Sequence, residues 1–155
     1  MIQVVLVEPQ IAPNTGSVGR LCAGIDVPLH LVRPLGFELS DRTLKRAGLD
    51  YWPHIRLAVH DSFDDVLSAF PSAPVWCFSA RAERAHWDVA FGPDDLLVFG
   101  REEDGLPPAI LARFTDRRVA IPHNTNIRSL NLSNAVSIAV YEALRQGRER
   151  GAMRP

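Results

Sequence analysis

The sequence predicts an α/β fold, a mainly parallel six-stranded sheet with helices on both faces. Three observations lead there. The chain opens on Ile2–Val7, a continuous apolar run rich in β-branched residues, as expected of a strand covered on both faces. Strand-like and helix-like segments then alternate to the end, with no internal repeat and no low-complexity stretch. The polar loops follow strands directly, and in a parallel sheet such loops gather at the carboxyl edge.

The elements are read in order. After the opening strand, residues 8–16 form a loop with two prolines, and Ser17–Ile25 is helical, with Val18, Leu21, Cys22 and Ile25 on one stripe and Asn14 or Thr15 as cap. Leu29–Val32 is the second strand, ended by Arg33-Pro-Leu-Gly36. Ser40–Ala47 reads as a short basic helix carrying Arg42, Lys45 and Arg46, either a solvated face or a patch facing RNA. Tyr51 and Trp52 sit in a turn, as base-stacking groups or as packing contacts. Ile55–Val59 is a third strand, and a helix capped by Asp61 or Ser62 runs to Phe70. Val75–Ser79 and Leu96–Phe99 are the fourth and fifth strands, separated by a polar excursion with Arg81, Arg84 and His86. Leu106–Phe114 is a short helix and Arg117–Ile121 the sixth strand. From Leu132 the residues Val136, Ile138, Ala139, Val140, Ala143 and Leu144 recur at helical spacing, with Asn131 or Ser133 as cap. Residues 147–155 read as a frayed end.

A chain of 155 residues predicts a single domain over its whole length. With 17 Lys and Arg against 18 Asp and Glu, the net charge of −1 excludes a uniformly basic nucleic-acid binder, so an RNA partner requires a local positive patch. Cys22 and Cys77 have no CxxC neighbour and read as buried, reduced thiols of a cytoplasmic protein. No signal peptide is expected from the opening residues, and no apolar run is long enough to cross a membrane. The five histidines lie at no metal-ligand spacing, so no metal is expected. The first strand is not followed by G-x-G-x-x-G, and there is no Walker motif, which argues against dinucleotide enzymes and P-loop nucleotidases.

The informative loops are 14–20, 100–108 and 122–131. The first offers Asn14 and Arg20, the second two glycines and Glu102 with acidic neighbours, the third Ser129 and Asn131. Nothing in them forms a nucleophilic triad or an activated cysteine. A bound cosubstrate that carries the reactive group suits this inventory better than a protein nucleophile does. Taken singly, Asn14 reads first as an N-cap, Ser129 as a loop hydrogen bond and Glu102 as a solvated carboxylate; it is their joint occurrence that points to a site.

Together, Asn14-Thr-Gly-Ser-Val-Gly-Arg20, Val98-Phe-Gly-Arg-Glu-Glu-Asp-Gly-Leu-Pro107 and Ile121-Pro122 with Arg128-Ser-Leu-Asn-Leu-Ser-Asn-Ala135 resemble the three motifs of the SPOUT methyltransferases. Within them the resemblance is to the SpoU branch, RNA ribose 2′-O-methyltransferases, and most of all to its small tRNA wobble-position enzymes. It extends to Glu8-Pro9 and Arg46-Ala-Gly-Leu-Asp-Tyr51. The resemblance implies a C-terminal trefoil knot, a homodimer and S-adenosyl-L-methionine as cofactor. It implies cofactor contacts from Phe78, Gly100, Gly105, Ile121, Ser129 and Leu130. It implies catalytic roles for Arg20, Asn14, Glu102, Ser129 and Asn131, with Arg20 completing the partner's site. The activity implied is methylation of the ribose 2′-OH of tRNA nucleotide 34. Arg42, Lys45, Arg46 and Arg128 are the candidate contacts to the RNA. Another tRNA or rRNA site, or a non-catalytic RNA-binding module, are the alternatives. Residues 123–127, His-Asn-Thr-Asn-Ile, depart from the pattern of the tRNA enzymes.

Overall fold

In the computed structural model, residues 1–39 and 51–149 are described. The expected basic helix at 40–47, with Arg42, Lys45 and Arg46, lies outside them.

Strand β1, Gln3–Val7, occupies the interior of the sheet, and Val4, Val5, Leu6 and Val7 are all buried. It is flanked by β2, Leu29–Val32, and β5, Leu96–Phe99, with Val5 in register with His30 on one side and Val98 on the other. With β3 (Leu57–His60), β4 (Val75–Phe78) and β6 (Arg118–Val119), the order is β3-β2-β1-β5-β4-β6, and every pairing is parallel. The mainly parallel six-stranded sheet is therefore found, and it is parallel throughout.

Because strand side chains alternate, the sheet has two cores. Val4, Leu6, Leu29, Leu31, Leu97 and Phe99 point to one face. There they pack against Val18 and Cys22 of helix α1 (Ala12–Gly24) and Val136, Ala139 and Val140 of helix α4 (Leu132–Glu149). Val5, Val7, Val75, Cys77, Leu96 and Val98 point to the other. They pack against Phe63 and Val66 of α2 (Phe63–Ala69) and Ile110 of α3 (Pro108–Arg113). Each fully buried Val or Leu contributes roughly 1.5–3 kcal/mol, so a one-residue slip of β1 would be prohibitive. Cys22 and Cys77 are free and buried, and burial pushes both thiols up to about 12, which leaves them unreactive.

Several boundaries differ from the sequence reading. Helix α1 begins at Ala12, not Ser17, and its N-cap is Ile11, so neither Asn14 nor Thr15 caps it. Pro13 lies in the first turn, where its missing N–H is not needed. Strand β3 starts at Leu57, because Trp52–His54 forms a 3₁₀ turn that Ile55 closes. Tyr51 and Trp52 are partly buried against the core, the packing alternative. Strand β6 is only two residues long, but Ala120 extends it by pairing with Ala85. Helix α4 runs through Gly147 to Glu149, past the expected point of fraying. Gln146 anchors it, donating to Val89 O at 3.0 Å and accepting from Phe91 N at 2.9 Å. Among the described residues no helix is long and apolar enough to cross a membrane.

Candidate active site

Strands β1 and β5 are neighbours, yet the chain leaves them in opposite directions across the sheet. Their carboxyl ends thus form a switch point, where open parallel sheets hold ligands. Beside it, at the carboxyl ends of β5, β4 and β6, is a cleft of about 570 Å³, within the range of small-molecule sites. Of the residues proposed from sequence, Phe78, Gly100, Glu102, Gly105, Ile121, Arg128, Ser129 and Leu130 line it. Asn14, Asn131 and Arg20 do not.

The floor is aromatic. Phe78 and Phe99 stack with ring centroids 4.5 Å apart and planes 16° from parallel. Over it folds the turn 100–105, closed by reciprocal backbone bonds of 3.0 Å between Arg101 and Gly105. Two glycines permit this turn for different reasons. A Cβ on Gly100 would lie 2.0 Å from Gly105 C and 2.1 Å from Leu106 N, so the turn closes only on a bare backbone. Gly105 has φ +75°, a left-handed conformation, and a Cβ there would meet nothing within 4 Å. The space above Gly105 is therefore open.

The turn is tied to the segment between β1 and α1 by two acidic groups, Glu102 and Glu8. Glu102 accepts from the backbone N–H of Gln10 at 2.9 Å and of Ile11 at 3.0 Å, and from Asn14 Nδ2 at 3.2 Å. A carboxylate from a distant loop thus fixes the two residues that lead into α1, at the positive end of the helix dipole. Arg101 donates through Nε to Glu8 Oε2 at 2.9 Å, and Nη2 reaches the same oxygen. Glu8 itself has φ +53°. The hydrogen bond that Arg101 donates to Glu8, and then the charge of Glu8, hold the Arg101 guanidinium pKa above its ordinary value.

The third loop joins the same network. Asn131 caps α4 through Oδ1, which accepts from Ser133 N at 2.9 Å and Asn134 N at 3.3 Å. Its Nδ2 donates to Asn14 Oδ1 at 3.0 Å. Glu102, Asn14 and Asn131 therefore form one continuous relay that joins the cleft turn to the starts of both α1 and α4. His123 braces the rest of the loop, with Nδ1 3.0 Å from Ile121 O and Nε2 3.4 Å from Arg128 O.

Arg20 projects from α1 outside its own cleft, exposed, with its guanidinium 5.5 Å from the centre of the Tyr51 ring. Tyr51 in turn donates to Gly16 O at 2.7 Å. The Glu8–Arg101 pair and the His123 brace are not legible in the sequence as site features. The first links residues 93 positions apart and leaves no periodic trace; the second uses a single histidine in a polar run.

An all-parallel sheet with a cleft at its switch point, an aromatic floor and a glycine-bracketed acidic turn defines an α/β protein built to hold a small ligand with a flat apolar face. Residues 1–141 match the SpoU rRNA Methylase family, and the chain belongs to that family. It is 47% identical to a tRNA (cytidine(34)-2′-O)-methyltransferase from Burkholderia pseudomallei over 98% of this chain and 100% of the relative. A solved structure described as giving insights into 2-OH methylation of C/U34 on tRNA superposes with a TM-score of 0.90. It is 50% identical and covers 97% of this chain and 98% of its own. An AdoMet-bound rRNA methyltransferase from Sinorhizobium meliloti shares the fold, with a TM-score of 0.78 at 22% identity, covering 93% of this chain and 56% of its own.

Proposed function

We propose that this protein transfers a methyl group from S-adenosyl-L-methionine to the ribose 2′-OH of nucleotide 34, cytidine or modified uridine, in cytoplasmic tRNA. The observation that carries this reading is the Glu102–Asn14–Asn131 relay beside the cleft. Three loops distant in sequence converge there, as the motifs of an RNA ribose methyltransferase require. Near-complete coverage of a relative named for this reaction supports the substrate.

The residues fit the cofactor. The Phe78–Phe99 floor offers an apolar face to adenine, and the open space above Gly105 leaves room for a ligand where any side chain would intrude. Gly100, Gly105, Ile121, Ser129 and Leu130 would hold the nucleoside, and the acidic turn 102–104 favours a cationic ligand. When bound, the cofactor supplies an electrophilic methyl group on a sulfonium, so the protein needs no nucleophile of its own.

What remains for the chain is to orient the ribose and ease loss of its proton. Asn14, Glu102 and Asn131 have their polar atoms engaged with one another, which suits them to positioning rather than to contact with substrate. Ser129 is exposed at the cleft and suited to touch substrate or cofactor. Arg20 lies outside its own cleft. That placement favours a homodimer in which Arg20 of one protomer grips the phosphate beside the target ribose in the other's site. The C-terminal part is read as threaded into a trefoil knot, with β6 outside β4 and α4 returning across α1. Arg128 at the cleft rim, with Arg42, Lys45 and Arg46, would contact tRNA phosphates and make binding salt-dependent.

Arg20→Ala tests the assignment. It should leave cofactor binding and assembly intact while lowering methyl transfer by about 10²-fold or more. Turnover at the wild-type rate in that variant would remove Arg20 from the mechanism.

A further inference from the structure

The side chain of Arg20 is held by an aromatic ring and not by an acid. Its guanidinium lies 5.5 Å from the centre of the Tyr51 ring, within the range of a cation–π contact. Among the described residues the guanidinium has no carboxylate partner and donates no hydrogen bond. A ring holds a cation without cancelling its charge, so that charge stays available to a phosphate. A carboxylate in the same place would hold the side chain and neutralise it.

Tyr51 is itself fixed to the helix that carries Arg20. Its hydroxyl donates to Gly16 O at 2.7 Å. In α-helical geometry that carbonyl is also the acceptor for the N–H of Arg20, four residues on. The residues after Tyr51 bring this segment close. A Cβ on Gly19 would lie 2.6 Å from Ile55 Cδ1 and 3.3 Å from Trp52 Cζ3, so the turn rests on bare helix backbone directly before Arg20. Trp52 and Ile55 thus supply packing at Gly19, while the hydroxyl and ring of Tyr51 meet Gly16 and Arg20.

We propose that Tyr51 is the positioning residue for Arg20, holding its guanidinium in the pose in which it meets the RNA backbone. The inference rests on the RNA-methyltransferase reading above, in which Arg20 grips the phosphate beside the target ribose. An arginine that turns freely about its side-chain bonds loses that freedom when it grips a phosphate, and the loss opposes the reaction. A side chain already seated on a ring has given up part of that freedom before the RNA arrives. Tyr51 belongs to the protomer that supplies Arg20. Its role runs through Arg20 alone, and it has no part in proton transfer.

The test compares wild type with Tyr51→Phe, with Tyr51→Leu, and with a protein carrying a ring-trifluorinated phenylalanine in place of Tyr51. Each is assayed with labelled S-adenosylmethionine and unmodified tRNA, alongside cofactor affinity by calorimetry and thermal unfolding. Tyr51→Leu, which removes ring and hydroxyl together, should lower kcat/KM for tRNA about tenfold at constant cofactor affinity. Tyr51→Phe, which keeps the ring, should recover most of that loss. The fluorinated ring has nearly the shape of phenylalanine and a weakened negative face. Its kcat/KM should therefore fall about two- to fivefold below that of Tyr51→Phe at equal stability. A packing role alone would leave those two proteins alike, so equal kcat/KM for them would overturn the assignment. A wild-type rate in Tyr51→Leu would also overturn it. Wild-type protein that transfers no methyl group to any tRNA would instead overturn the underlying function.

Discussion

At the residue scale, the polar groups of the relay are not the only ones that set stability. Those of the relay are held by partners across the cleft edge. His30 takes no part in that relay. It is buried on β2, with Nδ1 3.0 Å from His60 Nε2 and Nε2 3.1 Å from Gln3 Oε1. The scattered histidines of the sequence therefore include one contacting pair, brought together because β2 and β3 are adjacent parallel strands. Burial, and then the charge of His60, lower the His30 pKa from 6.5 to about 4. The unfolded chain thus binds a proton that the folded chain refuses between those values. Stability from this group is complete above pH 6.5 and is lost as pH falls toward 4, by roughly 1–3 kcal/mol. Denaturant unfolding at pH 7 and pH 5 should show the loss, and His30→Gln should reduce it. An unaltered pH dependence in the variant would mean that His30 is not its source.

At the element scale, the start of α1 is where sequence and structure part most clearly. Two prolines and a Thr-Gly pair read as loop, and local propensity puts the cap at Asn14 or Thr15. The helix begins earlier, at Ala12, and Glu102, on a turn 91 residues away from Ile11, holds the backbone N–H groups of Gln10 and Ile11 that lead into it. No local propensity encodes a contact delivered across the sheet. By contrast, Ser62 caps α2 through a capping box with Asp65, and Asn131 caps α4. Both are legible because cap and helix adjoin in sequence. Since Glu102 receives two backbone N–H bonds and one from Asn14, Glu102→Ala should destabilise the protein by roughly 1–2 kcal/mol and detach the cleft turn from α1. Chemical denaturation should register the loss, accompanied by weaker cofactor binding. A variant of full stability would show that α1 does not depend on this carboxylate.

At the scale of the whole molecule, the parallel sheet is legible because its interior strands are unbroken apolar runs, Ile2–Val7 and Leu96–Phe99 above all. The convergence of loops follows from topology, since each leaves the same edge. What periodicity does not supply is the joining of those loops. Glu8 to Arg101, Glu102 to Asn14 and Asn14 to Asn131 are all contacts across long separations, set by which strands lie side by side. Arg20 shows the same limit, because a single chain leaves it away from the cleft that its motif suggests.

If the joined loops direct a methyl group to one sugar hydroxyl, the product itself should say so. The decisive measurement is to incubate the purified protein with unmodified tRNA and labelled S-adenosylmethionine, then map the ribose methyl by nuclease digestion and mass spectrometry. One new 2′-O-methyl group, at nucleotide 34, is the expected product. Label on a base, label at another ribose, or no label on any tRNA would contradict the proposed reaction.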